Sequence, residues 1–212
     1  MKSEEAPFRS LSRNERRERI LWAAKRVLME KGLDEASMDD VAACAGTTKP
    51  TVYAHFKSKD ELFSAVVEFI KRLFLSKLGS PDAYASEPVE AVAIFCGRFV
   101  ELTCWRDAIG YQRMALAAAA RSPAIAGAVY ETLFAGACQT LAAYLRTHKL
   151  TRNPERDAEL LLAATTWGPV MRHLYGVDEP CPDVPDDRAL GGWVDMKRIR
   201  EAVKLIAPNW KT

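Results

Sequence analysis

Histidine is scarce in this chain, at 3 of 212 residues, and the three (His55, His148 and His173) are scattered. No paired carboxylate in an apolar setting and no glycine-rich phosphate loop accompanies them, so no catalytic constellation can be assembled and an enzyme is not expected. Cysteine is nearly as sparse. Its five residues (Cys44, Cys96, Cys104, Cys138 and Cys181) are an odd number without a C-x-x-C pair, and four sit among Ala, Val, Phe or Trp. A disulfide framework and a zinc site are both disfavoured, and no metal or cofactor is expected. With 11 Gly and 11 Pro, the chain is too poor in both for a low-complexity or collagen-like protein. Apolar runs such as Met114 to Ala120 are far too short to span a bilayer. No charged start followed by an apolar run and a cleavage site opens the chain, so a cytoplasmic protein without a membrane partner is expected.

What the chain has is the composition of a folded protein, 49% hydrophobic and 27% charged, with length for one or two domains. The net charge of +2 is unevenly spread: residues 1–60 carry 12 Lys and Arg against 10 Asp and Glu, and the remainder balances at 18 against 18. Residues 46–59 hold Lys49, Lys57 and Lys59 and no acid, a basic patch of the kind that meets phosphate.

Nearly every segment has a period near 3.6 and none makes a convincing strand, which predicts an all-α fold. A first helix over about residues 13–31 places Ile20, Leu21, Ala24, Val27 and Leu28 on one stripe, and Gly32 ends it. Ser37 with Asp40 is close to a capping box for a short second helix, whose buried face is Met38, Val41, Ala42 and Ala45. Gly46 stops that helix, and Thr48 can cap a third running to about Phe56 with Pro50 in its first turn. Two short helices joined by a tight glycine turn make a helix-turn-helix. Further helices are predicted over about 59–78, 88–103, 107–120, 123–148 (Ser122 as cap), 154–175 (Asn153 as cap) and 196–207 (Asp195 as cap). Gly168-Pro169 should kink or split the 154–175 helix. Residues 177–192, rich in Pro, Gly and Asp, read as a long mobile connection.

On a helical wheel the third helix turns Val52 and Phe56 to the core. Pro50, Thr51 and Ala54 then point outward, Tyr53 and His55 flank them, and Lys49 stands at the amino-terminal end. Small central groups let a helix approach closely and flanking polar groups can grip either wall, a profile suited to the DNA major groove. Pro50, Ala54 and the Thr51 methyl suit a thymine methyl. The Thr51 hydroxyl and Lys49 can reach base edges or phosphates, while Tyr53, His55 and Lys59 are better placed for phosphate alone. Free amides at the starts of the second and third helices add phosphate seats near Ser37 and Thr48.

The stretch RERILWAAKRVLMEKGLDEASMDDVAACAGTTKPTVYAHFKSKDELFSAVVE, Arg17 to Glu68, resembles the DNA-binding region of TetR-type (tetracycline-repressor-like) transcriptional regulators. The match is ungapped and includes the Ala45-Gly46 turn, the Thr51-Val52-Tyr53 core of the third helix and the Phe56-Lys57-Ser58-Lys59 exit. Pro50 and Ala54 depart from the family's usual residues. The resemblance implies a helix-turn-helix DNA-binding domain over residues 1–58 and a helical regulatory domain over 59–212 that binds a small inducer and dimerises. It also implies a homodimer that places two recognition helices in successive major grooves of an operator, most simply as a repressor. Thr48, Lys49, Thr51, Tyr53, His55 and Lys59 match positions that contact DNA in the family.

Beyond about residue 60 the resemblance is weak, although residues 98–150 are similar to one C-terminal subtype. Phe95, Phe99, Trp105, Tyr111, Met114, Phe134, Trp167 and Met171 fall on helices that must face one another, and are the candidate walls of a ligand pocket. Arg98, Arg113 and His173 are its candidate polar anchors. Helices 154–175 and 196–207 are the family's dimerisation pair, with Leu160, Leu161 and Ala164 facing Ile199, Val203 and Ile206. A redox signal through Cys96, Cys104 or Cys138 is the alternative to a ligand. Nothing in the sequence lowers those thiol pKa values beyond the nearby Arg98 and Arg106.

Overall fold

The computed structural model describes residues 7–182, 189–207 and 210, in which the only β feature is an isolated bridge between Trp105 and Cys181. After a 3₁₀ turn at Phe8–Ser10 the helices follow as α1 (Arg13–Glu35), α2 (Met38–Ala45), α3 (Lys49–His55), α4 (Lys59–Leu78), α5 (Pro88–Cys104) and α6 (Arg106–Ala118). Then come α7 (Pro123–Tyr130), α8 (Gly136–Thr147), α9 (Pro154–Leu174) and α10 (Met196–Ile206). None of these is long and apolar enough to cross a membrane.

Local chemistry sets the amino-terminal boundaries. Ser12 caps α1 and Ser37 caps α2, each in a reciprocal box with the residue three positions on, Glu15 and Asp40. Gly32, at φ 79°, interrupts α1 where the sequence predicts its end, and one more turn follows. Gly46 closes α2 at φ 68°, a left-handed conformation that favours glycine, and turns the chain sharply into α3. Ser37→Ala removes the acceptor for the Asp40 amide and one arm of the box. It is expected to cost about 1 kcal/mol, read as a lower urea midpoint at unchanged slope.

Among the described residues the buried apolar side chains form two clusters. One packs Ile20, Leu21, Val27 and Leu28 of α1 on Val41, Val52 and Phe56. The other fills the space between α5, α6, α8, α9 and α10. Helix α4 belongs to both: Leu62, Phe63, Val66 and Phe69 sit in the first, and Val67, Phe74 and Leu78 in the second. A second link joins α1 to α6, where Lys25 Nζ donates to Asp107 at 2.5 Å while lying over the rings of Trp22 and Trp105.

Several expectations are corrected. The 123–148 helix is not uniform, since a π-helical stretch, Glu131–Ala135, joins α7 to α8. Neither Ser122 nor Asn153 makes a side-chain cap. Helix α9 is not split at Gly168-Pro169. It runs through, His173 Nδ1 donating to the Pro169 carbonyl at 2.7 Å, and Gly168 gives the room that the Arg198 guanidinium of α10 occupies. Leu161, Ile199 and Val203 are at most 3% exposed and serve the protomer's own core, so they are not a dimer stripe. The predicted mobile connection falls partly on residues 183–188, outside the described residues. Its flanks are held: the Cys181 amide donates to the Cys104 carbonyl, and the Gly191 amide donates to Glu101.

Candidate DNA interface and ligand cavities

Helix α3 is anchored by Val52 and Phe56, both 0% exposed, as its periodicity requires. Pro50, Tyr53 and Ala54 are exposed on the far side, and Thr51 and His55 are half-buried at its edges. Thr48 occupies the N-cap position, but its hydroxyl bonds the Thr51 hydroxyl at 2.9 Å and caps no amide, contrary to the capping role read from the sequence. The interaction places two hydroxyls of adjacent turns side by side on the exposed face.

The charges around this face are only partly those foreseen. Lys49 Nζ donates to Asp39 at 2.7 Å, an exposed pair whose hydrogen bond raises the lysine pKa. Lys59 Nζ donates to the Asp34 carbonyl at 3.2 Å and lies 5.2 Å from the Phe63 ring centre. Ser37 sits inside its box, donating to Asp40, with Asp39 and Asp40 in the first turn of α2, so that end carries negative charge and is the poorest of the expected phosphate seats. Conversely, Arg13, Arg16 and Arg17 of α1 reach the end of α3. Burial first, and then these three arginines, hold the His55 pKa below its ordinary value. The imidazole is therefore neutral near pH 7 and would meet a phosphate through an N–H, not as a cation. Arg17 also covers the Phe56 ring at 4.7 Å. The signal of this arginine group in the sequence is the run Arg13 to Arg19, ahead of the apolar stripe of α1.

The candidate ligand residues do not converge on one pocket. Trp105 and Tyr111 line a cavity of 390 Å³ at the junction of α1, α4 and α6, together with Trp22, Lys25 and Phe74. Phe134, Trp167 and Met171 line a separate groove, also 390 Å³, between α6, α7 and α9. Phe95 and Phe99 are wholly buried, Phe99 meeting Phe74 and Phe134 edge-on, so it packs between residues of the two cavities. Met114 is half-buried and packs against both core clusters.

The three candidate polar anchors all have other partners. Arg98 forms a buried ion pair with Glu101. Arg113 donates to the carbonyls of His173 and Leu174 and closes the end of α9. His173 is held by Pro169, as described above. Burial pushes the Cys96 and Cys104 thiols up to about 12 and that of Cys138 upward, so thiolate is a minute fraction at neutral pH, against a redox signal through them.

Two family models match this chain: "Bacterial regulatory proteins, tetR family" over residues 20–66, and "AefR-like transcriptional repressor, C-terminal domain" over residues 90–198. The chain belongs to the TetR family. The family is one of DNA-binding transcriptional regulators, and its first model covers α2 and α3 whole. Relatives by sequence include the HTH-type transcriptional activator FasR of Mycolicibacterium smegmatis, 47% identical over 58 residues that make 27% of this chain and 26% of that one. The HTH-type transcriptional repressor BepR of Brucella suis is 36% identical over 53 residues, 25% of each. The chain thus spans about a quarter of the length of these relatives. By structure it is similar to a TetR-family transcriptional regulator from Mesorhizobium loti, with a TM-score of 0.73, 22% identity and coverage of 95% of this chain and 100% of that one. It is also similar to the flavonoid-responsive regulator FrrA, at a TM-score of 0.71 and 22% identity over 91% and 95%. These likenesses establish the all-α architecture along nearly the whole chain.

Proposed function

We propose that the chain is a ligand-responsive transcriptional repressor that binds a palindromic operator as a homodimer and is released by a small-molecule inducer. The observation that carries this is α3. Its apolar side is fully consumed by the core, and its opposite side presents Pro50, Tyr53 and Ala54 exposed, with Thr51 half-buried beside them. In this reading Thr51, Pro50 and Ala54 meet base edges, and Thr48, Lys49, Tyr53, His55 and Lys59 meet the backbone, Lys49 exchanging Asp39 for a phosphate. Residues 1–58 form the DNA-binding unit and residues 59–212 the regulatory unit, with α4 shared between their cores. The match of residues 90–198 to the C-terminal domain of AefR-like transcriptional repressors favours repression, whereas the activator FasR matches over 58 residues alone.

The dimer is supported by a face of α9 that the protomer leaves uncovered: Leu160, Ala163, Ala164 and Trp167 are all exposed, with Trp167 at 70%, and Leu205 of α10 is exposed as well. Two half-sites one helical turn apart, about 34–36 Å, then multiply contact and counterion release.

Duplex selection from a random pool, followed by gel-shift titration of the winner, tests the reading. A palindrome is expected. Thr51→Ala should relax the preference at one base position per half-site, whereas Tyr53→Phe and Lys59→Ala should weaken all duplexes alike, Lys59→Ala lowering the salt slope by about 1 per half-site. Absence of any duplex retention, or unchanged binding in all three variants, contradicts the groove assignment.

A further inference from the structure

The junction cavity contains a polar group that the core leaves unmatched. Tyr111 is 2% exposed and lines the cavity, and its hydroxyl has no hydrogen-bond partner among the described residues. Buried hydroxyls are nearly always paired, so a lone one on a side chain that lines open volume marks a place where a partner can be supplied from outside the chain. The remaining lining is apolar and aromatic, drawn from Trp22, Ile70, Leu73, Phe74 and Trp105, apart from three charged residues. Two of these, Lys25 and Asp107, satisfy each other, and the ammonium is further held over two indole rings. The third, Lys77, also has an interaction within the chain.

Resting on the reading of the chain as ligand-responsive, we propose that this junction cavity is the inducer's seat. Its occupant is a small, uncharged, mainly apolar molecule with one hydrogen-bonding oxygen that pairs with the Tyr111 hydroxyl. A carboxylate or phosphate would have to draw Lys25 away from Asp107 and strand that acid. A bare hydrocarbon would leave the tyrosine unpaired. The volume of 390 Å³ lies at the lower end of small-molecule pockets, which suits one or two fused rings or a chain of similar bulk. The α6–α7–α9 groove lacks this feature. There the Thr166 hydroxyl donates to the Leu162 carbonyl, and the Gln112 amide donates to the carbonyls of Thr103 and Ala108. The junction occupant also touches Trp22 and Lys25 of α1, the helix whose amino-terminal arginines reach the end of α3, so no intermediate element is needed between ligand and DNA-binding unit.

Calorimetric titration of the full chain with 1-naphthol and with naphthalene tests this. The wild type should take up one 1-naphthol per protomer at least tenfold more tightly than naphthalene. Tyr111→Phe should erase that preference while keeping naphthalene binding, and Ala108→Trp, which fills the cavity, should lose both. Ala126→Trp, in the other groove, should change neither. Failure of 1-naphthol to saturate, a preference that survives Tyr111→Phe, or loss of binding in Ala126→Trp each overturns the proposal. Tyr111-dependent binding that leaves retention of the selected duplex unchanged overturns the assignment of the site to the inducer. A wild-type chain that retains no duplex at all overturns the regulator reading instead, and leaves the calorimetry standing.

Discussion

Replacing Glu101 by alanine is expected to cost roughly 3–5 kcal/mol of folding free energy, the usual penalty for stranding one member of a buried ion pair. The Arg98 and Glu101 side chains are 4% and 5% exposed, one helical turn apart on α5. Glu101 does two things there. One carboxylate oxygen accepts from the Arg98 guanidinium and the other accepts from the Gly191 amide at 2.8 Å, while Arg98 also donates to the Ala189 carbonyl at 3.3 Å. The pair is therefore the clasp that holds the connection between α9 and α10 against α5. Among the described residues Arg98 Nε has no hydrogen-bond partner even in the intact arrangement, so removal of Glu101 leaves the buried cation with one described carbonyl, that of Ala189. Glu101→Gln keeps an acceptor for Gly191 and should lose less. The double variant Arg98→Met/Glu101→Leu should recover most of the loss, because a well-packed apolar pair avoids the desolvation of both charges. Urea unfolding followed by circular dichroism reads all three. A change under about 0.5 kcal/mol in Glu101→Ala would show that water reaches the pair and that it is no clasp, since surface pairs contribute that little.

The clasp also shows where sequence reading ends. Helical periodicity, caps and turn residues are local, and they located α2, α3 and α4 almost to the residue. The orientation of α3 followed from Val52 and Phe56 alone, because a seven-residue helix has only one apolar side to bury. Which stripe meets which is not local. Arg98 was a candidate ligand anchor because its i+3 partner, Glu101, could not be told from a solvated acid until α10 and the 189–191 segment closed over both. Trp105 and Trp167 look alike in sequence, one at the corner of α5 and α6 and one at the middle of α9, yet the first lines the junction cavity and the second stands 70% exposed. Leu160 and Leu161 differ by 100° on a helix, enough to put one outside and the other in the core, and only the neighbouring α5 and α8 decide which. Lys25 is held inward by Asp107, a residue 82 positions away, which no local pattern on α1 signals.

Trp167→Asp is expected to abolish dimerisation and, with it, at least a hundredfold of operator affinity. The indole is 70% exposed in the protomer and shares its face of α9 with the exposed Leu160, Ala163 and Ala164. An exposed tryptophan among apolar neighbours is costly to leave in water. Burying a whole tryptophan covers about 150–250 Å², and the 70% still exposed here is about 105–175 Å², which at about 25 cal/mol per Å² is roughly 3–4 kcal/mol before ordering costs. A two-fold axis counts that gain twice. An aspartate there not only forgoes the burial but sets two carboxylates against each other across the axis, in a setting where each resists desolvation. In the proposed dimer the effect reaches DNA because the second half-site would be bound intramolecularly only while the subunits are joined, and one short helix alone has few base contacts to retain a duplex. Analytical ultracentrifugation should show the wild type at twice the chain mass of 23.6 kDa and the variant at that mass. Gel shifts should show half-site affinity alone in the variant. Because Trp167 contributes little to the protomer's own core, helical content should be preserved, which separates loss of assembly from loss of fold. A variant that still sediments as a dimer places the interface elsewhere, and one that is monomeric yet holds the palindrome undiminished breaks the link between assembly and operator binding.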